Sequence, residues 1–174
     1  EAVPKGVAAC FTNSGQSCSI PTRMIVPREK LAEVVELALT AATKFRVGNT
    51  KDTLTDLGPL VNRAQFERVR KLIQSGIDEG ATLQTGGPER PEGLKKGYYV
   101  QPTIFTDVTK EMSIAREEIF GPVLSILAYD SEDDAIAIAN SSSYGLAAYV
   151  QSGNLERARQ VARQLNGGQV HINY

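Results

Sequence analysis

Phe11-Thr12-Asn13-Ser14-Gly15-Gln16-Ser17-Cys18, running on through Ser19-Ile20-Pro21-Thr22 to Arg23, is the stretch on which the reading of this chain turns. It sets a cysteine just past a Gly-Gln turn, between a predicted helix and a predicted strand, where a thiol can face a pocket. Gly15 permits a close turn whose successive backbone N–H groups can point at a bound oxygen. Upstream, Val3, Val7, Ala8 and Phe11 recur at helical intervals, so a helix over roughly 3–12 delivers the chain to the turn. Downstream, Met24-Ile25-Val26 reads as a short buried strand stopped by Pro27.

Working outward, helical and strand patterns alternate, which predicts the α/β class with an open, mainly parallel sheet flanked by helices. Leu31, Val34, Val35, Ala38 and Ala42 form one apolar stripe. Phe66, Val69, Ile73 and Ile77 form a second, on a helix ending at Gly80. Between them, Asn49 to Asp56 is a polar loop closed by Gly58-Pro59. Gly86-Gly87-Pro88 and Pro91-Glu92-Gly93 carry turn chemistry, with Tyr98-Tyr99-Val100 and Thr103-Ile104-Phe105 as short strand candidates around Pro102. Val123 to Leu127 is an apolar, β-branched run of the kind that fills a buried strand. Ser131 starts a helix, with Asp134 in a capping-box position. Ala147 to Val150 predicts a strand. Asn154 caps a last helix with the stripe Leu155, Ala158, Val161, Ala162 and Leu165. Gly167-Gly168 ends that helix, and Gln169 to Asn173 follows as a strand. No repeat, low-complexity tract or linker interrupts the chain, so 1–174 is expected to form a single domain.

A length of 174 residues, 41% hydrophobic and 22% charged, suits a globular domain with its own core. The net charge of −1 gives no electrostatic footprint for nucleic acid or an anionic membrane. No apolar run approaches the ~20 residues of a membrane span, and the amino terminus lacks the pattern of a secretory signal. Two cysteines and one histidine are too few for a structural zinc site or a disulfide framework. Cys10 and Cys18 are therefore expected to be free thiols in a reducing, cytoplasmic setting, with no metal.

For Cys18 two readings stand side by side. A free cysteine is most often a small buried hydrophobe, and that is the reading for Cys10. A nucleophile instead needs accessible, ionisable sulfur. The flanking residues decide between them by resemblance, because F-x-x-x-G-Q-x-C-x-x-x-x-R over Phe11 to Arg23 resembles the nucleophile motif of the aldehyde dehydrogenase family. A second segment, Glu117-Glu118-Ile119-Phe120-Gly121-Pro122-Val123, looks like that family's cofactor-contact motif, in the expected order along the chain. The resemblance implies the catalytic (thiol) domain of the aldehyde dehydrogenase fold. It implies that Cys18 attacks an aldehyde to give a thiohemiacetal, which passes hydride to NAD or NADP and leaves a thioester for water to hydrolyse. An aldehyde carbon cannot release hydride until a nucleophile has made it tetrahedral.

The same resemblance carries Glu118 over as the acceptor for the nicotinamide ribose hydroxyls, to which a carboxylate offers suitable lone pairs. Phe120 would flank the nicotinamide ring. Gln65 and Arg68, three apart on the polar side of one helix, would reach the cofactor's edge, against the alternative of simple solvent exposure. Asn173 matches a family position near the active site, though a plain strand-end asparagine fits equally. His171, on the strand face opposite Val170 and Ile172, reads as a structural histidine. The resemblance further implies that an amino-terminal dinucleotide-binding domain and a carboxy-terminal oligomerisation segment are absent, and that the complete enzyme is a homo-oligomer. The isolated chain is then expected to bind cofactor weakly and to be inactive alone. The alternative to the enzyme is a non-catalytic interaction module retaining the fold, and a residual esterase is a third reading.

Overall fold

The structure, a computed structural model, describes residues 1–173. Helix α1 (Ala2–Phe11) leads through a tight turn to strand β1 (Arg23–Pro27), followed by α2 (Leu31–Ala42) and α3 (Arg63–Asp78). Next come β2 (Thr82–Thr85), β3 (Thr103–Thr106), the four-residue α4 (Ser113–Arg116) and β4 (Val123–Tyr129). Helix α5 (Glu132–Ala139), β5 (Ala147–Val150), α6 (Leu155–Ala162) and β6 (Gln169–Ile172) complete the order.

The strands divide into a four-stranded sheet, ordered β1-β4-β3-β2, and a separate pair β5-β6. All neighbours are parallel except β2, which runs antiparallel along the edge beside β3. The mainly parallel sheet is as expected from the sequence, but it is two sheets rather than one. β4 lies second in the larger sheet, and its residues alternate between two cores. Val123 and Leu127 face a cluster with Phe66, Val69 and Ile73 of α3, Ile114 of α4 and Ile138 of α5. Leu124 and Ile126 face the opposite cluster, with Val7, Cys10 and Phe11 of α1 and Val34, Ala38 and Ala42 of α2. A strand buried on both faces needs a continuous apolar run, which explains the composition of Val123 to Leu127.

Asn62, Ser131 and Asn154 cap α3, α5 and α6, each side chain accepting from the backbone N–H three residues on. Two local expectations fail and one strand goes unread. Helix α6 ends at Ala162, short of the expected Gly167-Gly168. Tyr98-Tyr99-Val100 is irregular backbone rather than strand, although Val100 is buried. Thr82–Thr85 forms β2 with little apolar alternation to announce it; Thr82 and Leu83 pair with Thr106 and Phe105. Among the described residues no helix is long and apolar enough to cross a membrane.

Candidate active site

Because β1 and β4 are adjacent and parallel, the segments entering them lie side by side at the amino ends of the sheet. Cys18 stands just before Arg23, the first residue of β1, and Phe120 just before Val123, the first of β4. Topology thus joins two motifs about a hundred residues apart in the sequence.

The turn before Cys18 is strained. Asn13, Ser14 and Gly15 follow one another in the left-handed region, with φ of 52°, 55° and 75°. Side chains hold it there. Asn13 Nδ2 donates to the Gln16 carbonyl at 3.0 Å, and Ser14 Oγ donates to the Gly58 carbonyl at 2.9 Å. Gln16 Oε1 accepts from the Val61 N–H at 2.9 Å. A Cβ on Gly15 would fall 2.0 Å from the Gly121 carbonyl oxygen, so only glycine lets the two entering segments touch.

Beyond the turn, Cys18 is exposed and Cys10 buried, both as free thiols. The Cys10 Sγ lies 3.4 Å from the Val123 carbonyl, and burial pushes its thiol well above the ordinary range. Tyr149 of β5 donates its hydroxyl to the Ser19 carbonyl at 2.7 Å, tying the segment after Cys18 to the second sheet. Arg23 donates to the Ile138 and Ala139 carbonyls at 3.1 and 2.8 Å and to Ser141 Oγ at 3.3 Å. A guanidinium therefore closes the carboxy end of α5, where a cation also meets the negative end of the helix dipole. Burial lowers its pKa, but an arginine remains charged.

The second segment is strained as well, with Phe120 at φ 60°. Helix α3 grips it from below. Gln65 Nε2 donates to the carbonyls of Ile119 at 3.0 Å and Phe120 at 2.9 Å. Arg68 Nη1 donates to the carbonyls of Glu118 and Ile119, the latter at 3.1 Å, and Nη2 lies 3.7 Å from the Glu117 carboxylate. Val69 fills the space beneath Gly121, where a Cβ would come within 2.8 Å. From the other side, the Tyr144 hydroxyl accepts from the Glu118 N–H at 3.4 Å. The Glu118 side chain is exposed, and its carboxylate has no hydrogen bond among the described residues. Phe120 is half-buried and stacks on no other ring among the described residues.

Cys18, Glu118 and Phe120 share one cleft of about 350 Å³, between the amino ends of β1 and β4 and the β5-β6 pair. Tyr144, Leu146 and Tyr149 wall it on the second-sheet side. Gln65 and Arg68 are not among its lining residues; they meet the Glu118–Phe120 backbone from the α3 side. Asn173 follows the end of β6, and its side-chain amide both donates to and accepts from the Ser152 backbone at 2.9 Å. It serves the strand end and does not line the cleft. His171 stacks on Tyr149 with ring centroids 5.0 Å apart. Of the residues lining the cleft, the motif reading named Cys18, Glu118 and Phe120 but not Tyr144 and Tyr149, whose contacts reach distant loop segments and leave no local pattern. No group of three or more His, Cys, Asp or Glu able to hold a metal ion occurs among the described residues.

Comparison with known proteins bears on the family and the fold. The sequence matches the aldehyde dehydrogenase family over residues 1–174. It is 53% identical over 172 residues to a 3-succinoylsemialdehyde-pyridine dehydrogenase of a Pseudomonas species, covering 99% of this chain and 36% of that protein. A putative aldehyde dehydrogenase of Staphylococcus aureus is 45% identical, with the same shares covered. The fold superposes with a TM-score of 0.97, at 55% identity, on a mutant of aldehyde dehydrogenase C from Pseudomonas syringae solved with NAD+ and octanal. That match covers 99% of this chain and 36% of the other. A Mycobacterium tuberculosis aldehyde dehydrogenase solved with NAD+ gives 0.96 at 43% identity, again over 99% and 36%. The chain thus spans a little over a third of the length of these relatives. With the family matched from end to end and the fold reproduced, this chain belongs to the aldehyde dehydrogenase family.

Proposed function

We propose that this chain carries the nucleophile and the nicotinamide end of the cofactor site of an NAD(P)-dependent aldehyde dehydrogenase. One observation carries the reading: an exposed thiol shares a cleft with a carboxylate and a phenyl ring that have no hydrogen-bond or stacking partner among the described residues. The Cys18 thiolate attacks the carbonyl carbon, a C–S bond forms, and the carbonyl electron pair moves to oxygen. The Cys18 N–H donates to no group among the described residues, which leaves it available to that oxyanion. A bound nicotinamide supplies the acceptor for the hydride that the tetrahedral carbon releases as its C=O reforms. Water then attacks the thioester carbon, the C–S bond breaks, and the thiolate returns with release of the acid.

The residues present fit a nicotinamide ribose. Glu118 offers two free acceptor oxygens to vicinal hydroxyls, and Phe120 offers an apolar ring face at the cleft wall. A volume of about 350 Å³ lies within the usual range for small-ligand sites. Relatives solved with NAD+ support NAD as the cofactor. Gln65 and Arg68 serve this site through the backbone they hold.

Acylation by p-nitrophenyl acetate tests the nucleophile without requiring cofactor. Mass spectrometry of the 174-residue chain should place the acetyl group on Cys18, leave Cys10 unmodified, and find none on a Cys18→Ser variant. Acylation spread over lysines, with Cys18 untouched, would remove the proposed role.

A further inference from the structure

Three consecutive carbonyls, those of Glu118, Ile119 and Phe120, accept from two side chains of α3. Gln65, Arg68 and Val69 stand at i, i+3 and i+4, so one helix face meets the whole Glu118–Gly121 segment. The segment they meet contains Phe120 in a left-handed conformation that a bulky side chain resists by its own sterics. Gln65 commits both amide hydrogens to this segment. Its own backbone N–H is already bound by the Asn62 cap, so the helix start from which the side chain reaches is fixed.

We infer that Gln65, assisted by Arg68, is a positioning residue that locks Phe120 in its left-handed turn and thereby presents Glu118 and Phe120 to the cleft. This deepens the proposed function and rests on it for the ligand, a nicotinamide nucleotide. The clamp itself is a property of the chain alone. Strain in the Phe120 turn persists only where surrounding bonds over-determine it, and the α3 side chains supply those bonds. Glutamate has the shape of glutamine but turns a donor pair into acceptors facing two carbonyls. Methionine keeps the length and removes the donors without adding repulsion.

The test combines a structural and a binding measurement on the 174-residue chain, with Gln65→Glu, Gln65→Met and Arg68→Met variants. In carbon-13 spectra, Phe120 of the parent should show Cα and Cβ shifts of a left-handed residue. Gln65→Glu should abolish that signature, Gln65→Met should weaken it, and Arg68→Met should have a smaller effect. Alkylation of Cys18 by iodoacetamide should stay within about twofold throughout, because the Cys18 turn is held by other bonds. Binding of reduced nicotinamide mononucleotide should weaken about tenfold in Gln65→Glu, as expected when two hydrogen bonds no longer order the site. Unchanged Phe120 shifts in both Gln65 variants would overturn the clamp. Shifts that change while nucleotide binding does not would overturn its role in presenting Glu118. Absence of nucleotide binding by the parent, with a clamp that responds as stated, would instead sink the cofactor reading of Glu118 and Phe120. Should Gln65→Glu fail to fold, Gln65→Met decides the same outcomes.

Discussion

Cys10 and Cys18 are chemically the same residue with opposite surroundings, and the contrast is set by which side of the turn each occupies. Cys10 sits on the buried face of α1 against β4, with its thiol directed at the Val123 carbonyl. Cys18, beyond the strained turn, is exposed. Burial disfavours the thiolate of Cys10, so the folded state keeps its proton where the unfolded chain loses it. A raised thiol pKa contributes stability that is complete below the unfolded value of about 8.5 and declines as pH rises beyond it. The melting temperature should therefore fall above about pH 8.5 more steeply in the parent than in a Cys10→Ala variant. Parallel pH curves from calorimetry would show that Cys10 does not couple to folding. This pairing of a buried and an exposed thiol was legible from the sequence only in part. The usual burial of a free cysteine placed Cys10 in a core, while the fate of Cys18 rested on its flanking Phe11, Gly15, Gln16 and Arg23.

At the scale of elements, Arg23 shows how a motif residue can secure a helix end. Its guanidinium meets the carbonyls of Ile138 and Ala139 at the end of α5, whose last residues have no lysine or arginine of their own. Replacement by methionine should cost about 1.5–3 kcal/mol, the range for hydrogen bonds to a charged group. It should also speed amide exchange over 136–141 ahead of the rest of the chain. Exchange that rises uniformly would mean Arg23 contributes only to global stability. The elements themselves were readable where one physical signal dominated. The stripes of α2 and α3, the apolar run of β4 and the caps at Ser131 and Asn154 all follow from periodicity or side-chain chemistry. β2 was not readable, because an edge strand such as Thr82–Thr85 is defined by pairing with β3 rather than by its own composition. Tyr98 to Val100 misled in the opposite direction, having β-favouring residues but no partner strand. Helix α4 is only four residues long, and its first N–H is met by the Glu79 carboxylate, 34 residues upstream. The clamp from Gln65 is similarly remote, spanning more than fifty residues to the carbonyls it holds.

Across the whole molecule, the cleft is bridged by a contact from the β5-β6 sheet to the segment after Cys18. Tyr149 is the residue of β5 opposite His171 in β6, stacks on it, and holds the Ser19 carbonyl through its hydroxyl. Tyr149→Phe removes that hydroxyl while leaving the ring. It should reduce stability by about 1 kcal/mol and raise amide exchange in residues 17–20. Alkylation of Cys18 should change at the same time, because its segment loses its link to the second sheet. No change in either measurement would mean that the β5-β6 pair does not steady the Cys18 loop. The site's position, outside the amino ends of β1 and β4, is fixed by this architecture, whereas open α/β sheets commonly use the carboxyl ends. Where Gly15 rests on Gly121, the gap between the two loops is the thickness of bare main chain, with no rotatable group that could act as a spacer. The spacing between the Cys18 and Glu118 segments is thus a dimension of the scaffold itself, and any widening of the cleft calls for changes at its outer walls, leaving that seam untouched.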